Sequence, residues 1–470
     1  MRKVEIIEKM EITGISSTGK AVGRKDDQVI FVNQGAPGDF IDVKIIGREK
    51  KYLVGHPIFF HKKSIYRTTP LCEHFGVCGG CKWQHLNYPA QLRFKAQQVK
   101  ENLRKISKMK LPEAEPILGS VETDYYRNKL EYTFSNKKWL TQEEIQTKGL
   151  INKNALGFHI PKMFDKILDI NHCHLQPNPS NEIRLALKNF SDAQDFTFYD
   201  IKKQKGLLRN LIIRTTTTQE TMVIVQFGAA DQEKIKKVMQ FLSERFPKLS
   251  SLLYLINLKK NETIYDQDIM TYRGKDFIIE KIGDLRFKIG PKSFFQTNPR
   301  QAYELYKKII AFASLKGNEL VFDLYSGTGT IANFIAKNCR KVIGIESVPE
   351  AVKDARANST LNKINNTAFY AGDMKDLLSG SFIKVHGRPE LVIIDPPRMG
   401  MHQNVIKALI HLKPERIIYV SCNPATQARD MELMSDHYKA IKTQPIDMFP
   451  HTQHVENIVL LKSKQYVQRS

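Results

Sequence analysis

Three short segments in the last third of the chain carry side chains that could do covalent and proton-transfer chemistry. In Tyr419-Val420-Ser421-Cys422-Asn423-Pro424-Ala425-Thr426, a cysteine directly follows an apolar run. A free cysteine is most often an inert core residue. A polar loop beside a proline, however, is a setting for a reactive thiolate, so Cys422 is the candidate nucleophile. In Ile394-Asp395-Pro396-Pro397-Arg398 the prolines stiffen the loop and hold Asp395 in place. Aspartate before two prolines often marks methyltransferases that act on nucleobases. The third segment, Pro450-His451-Thr452-Gln453-His454-Val455-Glu456, puts a candidate general base, Glu456, just before the terminal apolar run Asn457–Leu461.

A fourth segment reads as a ligand turn. The run Val321-Phe322-Asp323-Leu324-Tyr325 ends in Ser326-Gly327-Thr328-Gly329-Thr330, whose glycines allow a tight turn and close approach by a ligand. The turn opens with an acidic residue and lacks the third glycine of the dinucleotide fingerprint. The next apolar run ends in Glu346, a bidentate acceptor for two ribose hydroxyls. That pair suits an S-adenosyl-L-methionine pocket, where no pyrophosphate needs cradling; an NAD site or a structural turn are the competing readings. Asp373, in Ala371-Gly372-Asp373-Met374, is either an acceptor for the adenine amino group or the N-cap of the following segment.

Six cysteines in 470 residues do not make a disulfide scaffold. Cys72, Cys78 and Cys81 are spaced C-x5-C-x2-C, and Cys173 stands far downstream. Four thiolates suit either tetrahedral zinc or an iron–sulfur cluster. His74, His85, His172 and His174 add Cys/His zinc variants, and donor chemistry alone leaves both open.

These groups need elements to position them. From about residue 300 strands and helices alternate: helix Gln301–Ser314, strand Leu320–Leu324, helix 330–337, strand Lys341–Ile345, helix 349–361, strand 367–371, strand Leu391–Ile394, helix 403–411 and strand Arg416–Val420. That alternation predicts a parallel α/β sheet, whose ligands lie beyond the carboxyl ends of the strands. Upstream, residues 120–290 read as mixed, with strands Leu207–Thr215 and Thr221–Phe227 and a helix Asp231–Phe246. A basic helix is expected from about Pro89 to Lys108, with the apolar stripe Leu92, Ala96, Val99, Leu103 and Ile106. Residues 1–58 read as short strands, Val4–Ile12, Val29–Val32 and Phe40–Ile46, with the spacing of a small barrel.

The length exceeds one core, so two or three domains are expected. The balance of 72 Lys+Arg against 49 Asp+Glu gives a net charge of +23, which favours a polyanionic partner. The excess is also local, between Asp42 and Arg67 and again over 93–110. No apolar run approaches the ~20 residues of a membrane helix. The start Met1-Arg2-Lys3-Val4-Glu5 has no apolar signal region, so a cytoplasmic protein without membrane contact is expected.

The Cys422, Asp395-Pro-Pro and Glu456 segments in this order, with Gly290-Pro-Lys-Ser293-Phe294-Phe295-Gln296-Thr-Asn298 before them, resemble the TrmA/RumA-type family of RNA uridine-5-methyltransferases. The resemblance implies a Rossmann-like S-adenosylmethionine-dependent methyltransferase domain (291–470), a mixed α+β central domain with the Cys cluster (59–290) and a TRAM-like RNA-binding barrel (1–58). It implies that Cys422 attacks carbon 6 of a flipped uracil and that Glu456 removes the proton from carbon 5. It places Gln296, Tyr325, Glu346 and Asp395 on the cofactor, and a four-iron four-sulfur cluster on Cys72, Cys78, Cys81 and Cys173, as in the ribosomal-RNA branch. Phe294 offers a ring for the flipped base, although the core is its expected place; a side-chain contact from Thr330, where some relatives carry Asn, is not expected. The expected substrate is 23S ribosomal RNA, the expected state a monomer without an obligate protein partner. A tRNA substrate and a catalytically silent RNA-binding protein are the alternatives. Arg398 and Cys422 disfavour an N-methyltransferase, and no acid for ring nitrogen 3 of a cytosine is evident.

Overall fold

The computed structural model describes residues 5–147, 152–378 and 380–467. Strands β1 (Ile6–Ile15), β2 (Ala21–Lys25), β3 (Gln28–Val32), β4 (Phe40–Arg48) and β5 (Tyr52–Lys62) form a closed barrel in the order β1-β2-β3-β5-β4. Alternation turns Ile12, Ile30, Val32, Ile41 and Val43 into its core, and closure leaves no open edge. β2 and β5 were not legible in the sequence, since β2 carries Gly23 and charged residues and β5 is interrupted by Pro57.

After α1 (Tyr88–Ile106) comes a seven-stranded sheet of β6 (Lys129–Ser135), β7 (Ala155–Ile160), β8 (Met163–Asp169), β9 (Leu208–Thr215), β10 (Thr221–Phe227), β11 (Ser251–Ile256) and β12 (Met270–Gly274). Its order is β12-β11-β10-β9-β6-β7-β8. The short α2 (Gln142–Gln146) follows β6. β9 and β10 are buried along their whole length because both faces are covered. One face packs under α3 (Ser180–Ala193) and α4 (Gln232–Arg245). From the other, Ile212, Met222 and Ile224 enter a core shared with the C-terminal part. The hairpin of β13 (Ile278–Ile282) and β14 (Leu285–Ile289) packs on that part too.

The C-terminal part runs α5 (Pro299–Ala313), β15 (Leu320–Leu324), α6 (Thr330–Ile335), β16 (Lys341–Glu346), α7 (Pro349–Leu361), β17 (Thr367–Ala371), α8 (Met374–Leu377), α9 (Gly380–His386), β18 (Leu391–Ile394), α10 (Gln403–Leu412), β19 (Arg416–Ser421), α11 (Pro424–Leu433), β20 (Tyr438–Ile446), β21 (Glu456–Ser463) and α12 (Lys464–Val467). Its sheet order is β17-β16-β15-β18-β19-β21-β20. β15 to β19 are mutually parallel, as the alternating pattern predicts. β21 runs antiparallel between β19 and β20. β20 carries Pro445 and takes the sheet's edge, where a missing N–H is tolerated.

Helix α1 differs from its expected stripe. Val99 and Leu103 do pack, against α11. The buried line, however, runs Gln91, Lys95, Val99, Leu103 rather than through Leu92 and Ala96. Two polar residues face inward because the loop after β20 offers them partners. Lys95 Nζ donates to Asp447 Oδ1 at 2.6 Å and to the Phe449 carbonyl at 3.0 Å, with both charged side chains fully buried. Gln91 Oε1 accepts the His451 N–H at 2.8 Å. Among the described residues, no helix is long and apolar enough to cross a membrane.

Removing one partner of a buried pair leaves an uncompensated charge, at a cost of about 3–5 kcal/mol. Lys95→Met therefore lowers stability by about 3 kcal/mol in urea unfolding, and Lys95→Met with Asp447→Leu recovers most of the loss. Equal stability of the single and double variants would contradict this.

Candidate active site

The sheet brings the sequence candidates to one rim. β15 and β18 are neighbours although β16 and β17 intervene in sequence, so the order reverses between them. A ligand crevice opens at such a point, outside the carboxyl ends. The Asp323–Gly329 turn and Asp395 stand on its two sides. Because β21 is antiparallel to β19, its amino end arrives where β19 ends. Ser421 pairs with Asn457, so one further step of register sets Cys422 beside Glu456. Asn423 Nδ2 (3.0 Å) and Thr426 Oγ1 (3.2 Å) both donate to the Arg398 carbonyl, stapling the Asp-Pro-Pro-Arg loop to the cysteine loop.

The charges of these groups act on one another. Burial pushes the Glu456 carboxyl up to about 8, with Asp395 adding to the shift and Arg398 opposing it. Burial pushes Asp395 up to about 7. The Cys422 thiol is driven up to about 12, by burial first and then by Glu456 and Asp395, again against Arg398. The Arg398 guanidinium is the cation that favours the thiolate here, and the sequence reading gave it no such role. Its Nη2 donates to His454 Nδ1 at 3.0 Å. His454 is held neutral, at about 4, by burial and by Arg398, Lys82, Lys95 and Arg127, so its Nδ1 lone pair is free to accept. A lone cation among carboxylates, directly after Asp-Pro-Pro, was the available signal.

The ligand turn is strained open. Tyr325, Gly327 and Gly329 have φ of 61°, 51° and 75°. Tyr325 pays for its conformation without a glycine's freedom, and a Cβ on Gly327 would meet nothing within 4 Å. Glu346 Oε2 accepts the Gly327 N–H at 3.0 Å, and Oε1 accepts the Ser347 and Val348 N–H groups at 2.7 and 3.0 Å. Tyr325 lies in the field of Glu346 and Asp373. Asp373 caps α8 through the Lys375 N–H at 3.0 Å and pairs with the Lys375 ammonium. Asp323 Oδ2 accepts the Ala332 N–H at 3.0 Å, while its buried Oδ1 has no hydrogen-bond partner among the described residues. Thr330 Oγ1 accepts the buried Tyr306 hydroxyl at 3.1 Å. Gln296 lies between β14 and α5, its carbonyl taken by Asn128 Nδ2 at 3.0 Å. In the same segment the expected core phenylalanine is the neighbour: Phe295 is 5% exposed, whereas Phe294 is 68% exposed. Asn298 caps α5 just downstream, its Oδ1 accepting the Gln301 N–H at 3.1 Å.

Cys72, Cys78, Cys81 and Cys173 are free thiols, and their mutual charge interactions place all four in one neighbourhood. Among the described residues, no three His, Cys, Asp or Glu side chains stand at the spacing of a single-ion site. Beside Cys173, Arg184 is fully buried, and its Nε and Nη1 lack hydrogen-bond partners among the described residues. A buried guanidinium with free donors fits an anionic group held by the cysteines. His74 Nε2 accepts the Asn171 N–H, while His172 and His174 share the Tyr125 hydroxyl.

Fold and rim together define an S-adenosylmethionine-dependent methyltransferase fold. Residues 212–464 match the family described as tRNA (uracil-5-)-methyltransferase, and residues 8–58 match the TRAM domain. A Porphyromonas gingivalis protein described as an uncharacterized RNA methyltransferase is 53% identical over 460 residues, 96% of this chain and 99% of its own. One from Bacteroides thetaiotaomicron, described alike, is 52% identical over 452 residues, 95% of this chain and 100% of its own. The crystal structure of Pyrococcus abyssi tRNA (uracil-54, C5)-methyltransferase with S-adenosyl-L-homocysteine superposes with a TM-score of 0.76 at 29% identity, covering 96% of this chain and 100% of that one. The chain belongs to the uracil-5-methyltransferase family of RNA-modifying enzymes.

Arg398→Leu removes the cation facing the thiol, so alkylation of Cys422 by iodoacetamide, followed by peptide mass spectrometry, slows about tenfold. Arg398→Lys retains most of the wild-type rate. Identical rates in wild type and Arg398→Leu would show that the guanidinium does not act on the sulfur.

Proposed function

We propose that this chain methylates carbon 5 of a uridine in 23S ribosomal RNA through a covalent adduct between Cys422 and carbon 6 of the ring. The meeting of a thiol, a carboxyl base and a guanidinium at the rim of the α/β sheet carries the reading. S-adenosylmethionine supplies an electrophilic methyl group. Glu346 and Asp373 suit its ribose and adenine, Gln296, Tyr325 and Asp395 line the remainder, and the unpartnered Asp323 Oδ1 suits a donor on the ligand.

The target base must leave its stack to reach the rim, and the exposed Phe294 ring suits stacking on it. Cys422 gives up its proton to solvent, with Arg398 steadying the sulfur's charge, and the thiolate bonds to carbon 6. Electron density moves to carbon 5 and the ring oxygen, and carbon 5 takes the methyl group as the methyl–sulfur bond of the sulfonium breaks, its electron pair staying on the departing thioether sulfur. Glu456 then removes the carbon 5 proton, and the double bond re-forms as the thiolate leaves. Glu456 must be ionised for that step. With its carboxyl at about 8, turnover rises with pH through that value before any fall.

Cys72, Cys78, Cys81 and Cys173 would hold a four-iron four-sulfur cluster, with Arg184 offsetting its negative charge. Such a cluster would organise the central domain and its RNA surface; methyl transfer needs no redox step. The enzyme works as a monomer in the cytoplasm. A tRNA uridine is the second reading, favoured by the Pyrococcus abyssi tRNA enzyme's likeness over 96% of this chain.

Cys422→Ala abolishes methylation while S-adenosylmethionine binding survives, and Glu456→Gln accumulates an RNA adduct on denaturing gels. Normal turnover by Cys422→Ala would rule out the covalent route. Mapping 5-methyluridine by mass spectrometry in ribosomal and transfer RNA, with and without the protein, decides between the two substrates. Anaerobic purification gives a brown protein with about four irons per chain; a colourless zinc protein would overturn the cluster.

A further inference from the structure

Three cations from three separate parts of the chain converge beside the active-site loop, none of them in an ion pair among the described residues. Lys20 follows Gly19 in the β1–β2 turn of the barrel, Lys82 follows Cys81, and Lys162 lies in the two-residue turn between β7 and β8. The contacts that bring them together are specific. The Trp83 indole N–H donates to the Gly19 carbonyl at 2.9 Å. The backbone N–H groups of Lys82 and Trp83 both donate to the His451 carbonyl at 2.9 Å. Gly79 sits so close to the β7–β8 turn that a Cβ there would lie 3.3 Å from the His159 carbonyl and 3.4 Å from Pro161. Lys162 holds a left-handed φ of 68°, costly for a side chain of its size.

The like charges feel one another. Lys20 is held below the usual lysine range by partial burial, then by Lys162 and Lys82, with Glu49 only partly opposing. None of the three makes an ion pair among the described residues, although lysines elsewhere in the chain pair with acids repeatedly. Lys82 also reaches the field of His454, two residues before Glu456, together with Arg127 and Arg398. The line of positive charge therefore leads from the barrel to the catalytic rim. Folding gathers these charges at an electrostatic cost that a bound polyanion would reverse.

We propose that Lys20, Lys82 and Lys162 form a binding site for the RNA phosphodiester backbone, gripping the strand that enters the active site across the barrel, the cysteine loop and the β7–β8 turn. The site rests on the RNA-methylation reading and adds to it the place where the substrate's backbone is held. Contacts of this kind position an RNA without reading its sequence.

The test compares wild type with Lys20→Gln, Lys82→Gln, Lys162→Gln, the triple variant, and a charge control, Lys236→Gln on the exposed side of α4. Binding of a labelled stem–loop RNA with a loop uridine is followed by fluorescence anisotropy across a salt series, and S-adenosylmethionine affinity by calorimetry. Each neutralised phosphate contributes about 0.7–0.9 to the slope of log K against log salt. The triple variant should therefore lose about two from the slope and bind at least about tenfold more weakly at moderate salt. KM for RNA rises in step, and S-adenosylmethionine affinity and Lys236→Gln stay at the wild-type level. A triple variant with the wild-type slope and affinity overturns the site while leaving the methylation reading intact. A wild-type protein that neither binds nor methylates RNA overturns that reading instead. Equal losses in the triple variant and in Lys236→Gln would show a diffuse charge effect and also overturn the site.

Discussion

The buried ion pair between Lys95 and Asp447 fixes the loop that delivers Glu456. A charge pair removed from water is rarely a net source of stability, yet breaking it is costly, and that asymmetry makes it a strict register mark. Asp447 can occupy its place only if α1 lies against the end of β20. The rest of the loop is then held from several sides. Gln91 takes the His451 N–H, Lys82 and Trp83 take its carbonyl, Tyr126 donates to the Pro450 carbonyl at 3.1 Å, and Asp124 faces the His451 ring. His451 keeps a left-handed φ of 65° under these bonds. Barrel, cysteine loop, central sheet and catalytic sheet thus meet on one short segment. A general base, the role proposed for Glu456, needs this: a displacement of an ångström can cost orders of magnitude in rate.

Burial does the chemical tuning at that point. Glu456 and Asp395 are pushed towards neutrality and the Cys422 thiol away from ionisation, each chiefly by loss of water. Arg398 opposes the shifts of both the thiol and Glu456, and its position is set by the two bonds that tie its carbonyl to the cysteine loop. Cys422, Glu456 and Arg398 therefore form one electrostatic unit.

Much of this was legible in the chain. The β15–β19 strands and the intervening helices followed from alternation, because a strand buried on both faces must be an apolar run and its helices must be amphipathic. Leu320–Leu324, Leu391–Ile394 and Thr221–Phe227 came out with the bounds read from the sequence. The family was legible from four motifs in order, since each motif sits in a loop whose residue types are dictated by chemistry rather than packing. The last two strands were harder. β20 carries lysines and a proline, as an edge strand can, so it gives no strong pattern.

The sequence by itself determined which side chains could do chemistry, because a thiol, a carboxylate or a glycine turn is a local property of a few residues. Only the tertiary structure decided how they meet. Cys422 and Glu456 are brought side by side by an antiparallel pairing across a chain reversal, and the inward Lys95 by a partner 352 positions away. The same holds for Phe294, which burial separates from Phe295, and for three lysines drawn together from three folding units. Long-range electrostatics and packing depend on distances in space, and residue order alone does not encode those distances.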